Sequence, residues 1–201
     1  RAPSFMDEVC YTGTGVARTV THNLGVAPEL IIVKSRNQPY AWETYSVTFG
    51  IDAYLRLNTD AAVGTGVSGF WGSSNPTSTT FGLGTYANNN GSGTTYVAYL
   101  FATCAGVSKV GSYTGTGATQ TINCGFTTGA RWVMIKRTDD IGDWYVWDST
   151  RGIIPSNDPY LRINSSAAEV TGTDYVDTTA VGFDVTSAAS GTINASSATY
   201  I

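Results

Sequence analysis

The chain has 201 residues, with 11 Lys and Arg against 15 Asp and Glu, a formal net charge of −4 and only 13% charged side chains. That balance offers no basic stripe to neutralise phosphates, which argues against a nucleic-acid partner. No apolar run approaches the roughly 20 residues that span a bilayer. The chain is rich in Gly (23) and Tyr (12) and in Thr, Ser and Asn. Strands and tight turns favour these residues, whereas long helices expose Glu, Lys, Leu and Ala.

In chain order, Arg1-Ala2-Pro3-Ser4 lacks the apolar core of a signal peptide. A processed product, or an excerpt of a longer polypeptide, is therefore expected. Tyr11-Thr12-Gly13-Thr14-Gly15 then opens a unit. Alternation of small or polar with apolar residues predicts a strand over 16–21. A turn at 25–28 leads to Leu30-Ile31-Ile32-Val33, an unbroken apolar run between Glu29 and Lys34. That pattern suits a strand over 29–34 covered on both faces. An aromatic-bearing strand follows over 41–46, and then Tyr54-Leu55-Arg56-Leu57-Asn58. Asp60-Ala61-Ala62 and its later counterpart Ser166-Ala167-Ala168 are candidates for one helical turn each. Phe81, Leu83 and Tyr86 fit a penultimate strand, 88–93 a turn, and 95–102 the last strand.

The same design then returns. Tyr113-Thr114-Gly115-Thr116-Gly117 repeats the opening, and Trp132-Val133-Met134-Ile135-Lys136 repeats the buried run. Trp144 answers Trp42, Tyr160-Leu161-Arg162-Ile163-Asn164 answers 54–58, and Thr199-Tyr200-Ile201 answers Thr95-Tyr96-Val97. Strands are predicted over 118–122, 131–136 and 144–148, with turns at 138–142 and 189–191; Phe183 and Val185 fit the penultimate strand. A period of this length is too long for a solenoid rung and suits a small domain. The expected architecture is all-β: two tandem, homologous, jelly-roll-like β-sandwich units packed together. Unit 1 covers 1–102, a short connection 103–109, and unit 2 covers 110–201. Copy 2 stops partway through its last strand, so more chain is expected beyond Ile201.

Few residues suit catalysis. His22 is the one histidine, set in a turn signal where copy 2 has Cys124, so neither a Ser/His/Asp set nor a zinc site assembles around it. Among the acids Glu43, Asp52, Asp60, Asp143, Asp148 and Glu169, the pair Asp143 and Asp148 lies at opposite ends of one strand. Extended, they sit about 15 Å apart, beyond either glycosidase geometry. No catalytic residue and no cofactor is assigned. Asp139, Asp140 and Asp143 around Gly142 are a calcium candidate, although the same spacing describes a hairpin turn. Cys10, Cys104 and Cys124 read as buried free thiols, with a Cys10–Cys104 disulfide as the alternative if the flanking strands are neighbours. Asn90, Asn164 and Asn194 open glycosylation patterns. Trp42 and Trp144 share a repeat position and read as core. Alternation sends Tyr45 and Trp147 to the opposite strand face. Tyr40, Tyr45, Trp71, Tyr145 and Trp147 are thus the candidates for an exposed aromatic patch able to bind a glycan or a neighbouring subunit, with a further core layer as the alternative.

Several segments, taken together and in order, resemble a known family. They are Arg1-Ala2-Pro3 before YTGTG, His22-Asn23-Leu24-Gly25-Val26-Ala27-Pro28 before LIIVK, Tyr96 to Ala102, Gly111-Ser112-Tyr113-Thr114-Gly115, Ile135-Lys136-Arg137-Thr138-Asp139, Gly142-Asp143-Trp144 and Asp148-Ser149-Thr150-Arg151-Gly152. The family is an uncharacterised double-repeat domain of virion structural and tail-fibre-like proteins of marine bacteriophages. In one departure, many relatives carry Tyr-His after the first-copy Trp where this chain has Tyr45-Ser46. The resemblance implies a non-enzymatic structural or adhesion module on the particle surface, in a fibre, spike or capsid decoration. Its partners would be copies of itself, other virion proteins and a host-surface glycan, with no membrane. The alternative is a lectin-like domain of a secreted bacterial protein.

Overall fold

Regular secondary structure among the described residues is almost wholly β-strand. The computed structural model describes residues 2–201; it is all-β, 36% strand and 4% helical, with several sheets. Two compact units emerge. One is the chain up to Leu57 with Val63–Cys104, and the other is Asn58–Ala62 with Ala105–Ile201. Asn58–Ala62 thus belongs with unit 2 rather than with the first copy, because Asp60 O accepts hydrogen bonds from Gly142 N (2.9 Å) and Lys136 Nζ (3.2 Å).

Unit 1 contains β1 (Met6–Thr12), β2 (Arg18–Thr21), β3 (Leu30–Ser35), β4 (Glu43–Ser46), β5 (Leu55–Arg56), β6 (Thr80–Leu83), α1 (Ala87–Asn90) and β7 (Thr95–Phe101). Antiparallel pairing gives a five-stranded sheet in the order β1-β7-β3-β4-β5, while β2 pairs with β6. Leu24, Ile31, Val33, Tyr45, Phe70, Trp71, Phe81, Leu83, Tyr96 and Leu100 make its core.

Unit 2 contains β8 (Tyr113–Thr114), β9 (Gln120–Asn123), β10 (Trp132–Lys136), β11 (Trp144–Asp148), β12 (Leu161–Arg162), β13 (Val176–Thr179), β14 (Gly182–Val185), a 3-10 turn (Ser187–Ala189) and β15 (Thr199–Tyr200). The strands pair as β15-β8, β10-β11-β12 and β13-β14-β9, and an Arg137–Tyr200 bridge sets β15 beside β10. The series β8-β15-β10-β11-β12 therefore follows the order seen in unit 1.

The shared motif is consumed in one lock per unit. Tyr11 stacks on its cross-strand partner Tyr96 (5.1 Å between centroids, 16°) and donates to Asn89 O at 2.6 Å. Tyr113 stacks on Tyr200 (5.0 Å, 15°) and donates to Ile193 O at 2.6 Å. Asn90, wholly buried, accepts from Thr14 N and donates to Val16 O and Gly84 O. Asn194, also wholly buried, accepts from Thr116 N and donates to Ala118 O and Thr186 O. The first Gly of each motif sits where a side chain cannot fit: a Cβ on Gly13 would lie 2.2 Å from Gly91 O, and one on Gly115 would lie 2.2 Å from Ala195 O.

Some local expectations change. β2 and β9 begin later than predicted, at Arg18 and Gln120, because Gly15 (φ 71) and Gly117 (φ 74) hold the preceding residues in a turn. Neither Ala-Ala segment is helical. Tyr54 and Tyr160 bridge to Gly64 and Val170, the residues that follow these segments, and this keeps them extended. Helical turns occur instead at α1, which ends on Asn90, and at Ser187–Ala189, shortly before Asn194.

Candidate functional site

The β4–β5 register sets Glu43 opposite Arg56, and opposed side chains on one face stand within reach of each other. Glu43 is fully buried. Its Oε1 accepts from Arg56 Nε (3.2 Å) and from Asn88 Nδ2 of α1 (2.6 Å), while its Oε2 is buried without a partner. A buried carboxylate needs such compensation, because its desolvation penalty is several kcal/mol. The Arg56 guanidinium lies 5.0 Å above the Tyr54 ring, and Tyr54 stacks on Phe70 (4.7 Å, 21°). Phe70 stacks on Tyr86 (5.0 Å, 29°), which is 36% exposed. Tyr86 is the N-cap residue of α1, two positions before Asn88, so the chain of contacts closes on itself. Gly64 completes the arrangement: a Cβ there would come within 2.7 Å of Tyr54 Cζ, so the ring lies against bare backbone.

Unit 2 handles the same place differently. Arg162 is paired across the sheet with Tyr145, not with an acid. Its carboxylate partner is Asp143 at 3.2 Å, which also accepts from Asn164 Nδ2 at 2.7 Å. Asp143 precedes Tyr145 by two residues, and i and i+2 share a strand face. The arginine is kept, and the acid that holds it is displaced by one step of the pleat. Tyr145 packs against Trp147 (5.9 Å) and Tyr160 (5.3 Å), and Tyr160 stacks on Tyr175 (5.8 Å). Burial, with help from the Asp143 charge, pushes the Tyr145 phenol up to about 12. Tyr145 and its aromatic neighbours thus occupy the strand position that the acid Glu43 takes in unit 1.

The predicted aromatic patch does not form. Tyr45 and Trp71 are each 1% exposed and Trp147 is 0% exposed, so these three belong to the core. All four residues of β4 are buried, because both faces of that strand are covered, and alternation therefore does not turn Tyr45 towards water. Trp71 donates Nε1 to Ala53 O at 3.0 Å. Tyr40 and Tyr145 are half-buried, as is Trp42, whereas Trp144 is buried.

The three aspartates read as a calcium candidate face arginines instead: Asp139 and Asp140 share Arg137, and Asp143 pairs with Arg162. Asp139 forms a bidentate pair with Arg137 (3.1 and 3.0 Å) and accepts from Thr199 N. The Arg137 hydrogen bonds hold its carboxyl well down, at about 2. Asp140 caps Ile141 N, and Asp143 is engaged by Arg162 and Asn164. Among the described residues no group of three or more His, Cys, Asp or Glu could hold a metal ion. His22 is buried: it accepts from Leu24 N at Nδ1, and its Nε2 lies 3.2 Å from Thr77 O. Burial lowers its pKa. The cysteines are free. β1 and β7 are neighbours, but Cys10 pairs with Val97, and Cys104 lies past the far end of β7, out of disulfide reach. Cys10 is exposed, not buried. The amide nitrogens of Asn90, Asn164 and Asn194 are all hydrogen-bonded inside the protein.

Sequence reasoning also missed the burial of Lys136. This side chain is wholly buried, with Nζ donating to Arg137 O (2.6 Å) and Asp60 O (3.2 Å). Burial pulls its pKa down to about 8, against the opposing pull of Asp60 and Asp143. Between that value and the ordinary lysine value the unfolded chain holds the proton more tightly. Stability should therefore rise from pH 8 to pH 10, by on the order of 1–2 kcal/mol. Urea melts at the two pH values measure it; a wild-type profile that is flat, or no steeper than that of Lys136→Met, contradicts it.

Among the described residues no helix is long and apolar enough to cross a membrane. The fold and its sites define an all-β protein of two units that repeat a framework and differ in what the framework carries. The chain belongs to the family described as Domain of unknown function (DUF7483), matched over residues 4–201. No curated protein and no solved structure matches it.

Proposed function

We propose that this chain is a non-enzymatic structural and adhesion module of a bacteriophage particle, built as two tandem jelly-roll-like β-sandwich units. It would sit on the particle surface, in a fibre, spike or capsid decoration, among copies of itself and other virion proteins. The observation that carries this reading is the duplicated lock. Both copies spend their shared motif, Tyr11 to Gly15 and Tyr113 to Gly117, on the same internal contacts with Asn89-Asn90 and Ile193-Asn194. A rigid framework used twice serves display, and many copies multiply weak contacts. The resemblance to marine phage structural proteins supports the setting. One observation favours the rival reading, a lectin-like domain of a secreted bacterial protein: an exposed Tyr86 stacked on Phe70, two residues before an Asn88 amide that a buried acid holds together with Arg56. Mass spectrometry of purified particles, with immunogold labelling, tests the proposal. Stoichiometric presence at the particle surface is expected; absence from particles overturns it.

A further inference from the structure

We propose that the circuit Glu43–Arg56–Tyr54–Phe70–Tyr86–Asn88 in unit 1 is a subsite for one pyranose ring of a glycan; this deepens the adhesion reading and rests on it. A sugar ring has an apolar face and a rim of hydroxyls, so its site needs an ordered aromatic surface next to fixed polar groups. Tyr86 supplies the surface: one face rests on Phe70 at 5.0 Å, yet 36% of the residue is exposed. Asn88 and Arg56 supply the polar rim. Asn88 is half-buried, and the Arg56 side chain is 38% exposed. Glu43 is a positioning residue. It fixes both groups through Oε1, at 3.2 Å and 2.6 Å, from a fully buried site. With its amide nitrogen held by Glu43, Asn88 presents Oδ1 to a ligand hydroxyl.

The second copy sharpens the assignment. Unit 2 keeps an arginine and a tyrosine at the matching positions, Arg162 and Tyr160, but replaces the acid by Tyr145 and the bare backbone at Gly64 by Val170. Its connection over 186–193 carries neither an aromatic residue nor an Asn. Several neighbours in space thus change together: aromatic packing by Tyr145 takes the acid's place, and Arg162 is held by Asp143 instead. The subsite belongs to unit 1 alone.

Saturation-transfer NMR of the whole chain with a panel of methyl pyranosides, together with a glycan array, provides the test. Binding is expected, with at least a tenfold loss for Tyr86→Ala and for Asn88→Ala, each measured below its melting temperature with the fold checked by circular dichroism, because Asn88→Ala removes a partner of the buried Glu43. Glu43→Gln should weaken binding while the fold, checked by circular dichroism, persists. Ile154→Ala, at an exposed position in unit 2, should bind as wild type does. No binding to any pyranoside or glycan, or binding that survives both Tyr86→Ala and Asn88→Ala, overturns the subsite. Particles that attach to cells equally well with and without Tyr86→Ala sink the subsite and leave the adhesion reading standing. Tyr86-dependent glycan binding by a chain absent from particles does the reverse.

Discussion

Asn90→Ala should destabilise unit 1 by about 2–4 kcal/mol, and Asn194→Ala should do the same to unit 2. Each asparagine is wholly buried and satisfies three backbone groups: Thr14 N, Val16 O and Gly84 O in one unit, Thr116 N, Ala118 O and Thr186 O in the other. Truncation removes every partner at once. A backbone group left unmatched in the interior carries a penalty of roughly 1–3 kcal/mol, and groups near the surface recover part of it from water. Asn90→Asp keeps an acceptor for Thr14 N but buries a carboxylate against the Val16 and Gly84 carbonyl oxygens, so it should be at least as destabilising as Asn90→Ala. Amide hydrogen exchange read strand by strand is the right measurement. Protection should drop along β1, β2 and β6 for Asn90→Ala. Unchanged exchange in these strands would show that the lock contributes little.

Gly13→Ala is the second large effect, expected at about 3 kcal/mol or more. The added methyl would meet Gly91 O at 2.2 Å and Asn90 C at 2.8 Å. Both are backbone atoms of the segment that the lock holds, so neither can swing aside as a side chain tip would. Gly115→Ala meets Ala195 O at 2.2 Å and should behave alike. The informative control is Gly93→Ala, where nothing lies within 4 Å but φ is +72. There the loss reflects only the left-handed backbone and should stay near 1 kcal/mol. Urea midpoints for the three variants decide the matter: a Gly13→Ala protein as stable as Gly93→Ala would refute the close approach.

The framework was largely legible in the sequence, because repetition marks what both units need. Leu30 to Val33 read as a strand covered on both faces, and its three central residues are buried in β3. The aromatic site was not legible, for a specific reason. Assigning Tyr45 and Trp147 to an outward face assumes that one side of β4 and β11 meets water, and in β4 every residue is buried. The mismatch between Glu43 and Tyr145 was visible, but not its meaning. The Arg56–Glu43 contact depends on the register of a two-residue strand, which leaves almost no periodic signal. Asn88 meets Glu43 across 45 residues of chain, and no local pattern encodes such a pairing. The displaced acid in unit 2 follows the same logic: Asp143 looks like a loop residue until the arginine it holds is placed.

The lock also bears on the order in which each unit can be built. Thr14 and Asn90 are 76 residues apart, and Thr116 and Asn194 are 78 apart. β1, the first strand of unit 1, closes only on β7, its last. Contacts of such long sequence separation demand loop closure before they return any stabilisation, which places domains of this kind among the millisecond-to-second folders. During synthesis, Tyr11 must therefore wait unpartnered until Tyr96 has cleared the ribosome, and over that interval β1 is a bare edge for which stray strands can compete.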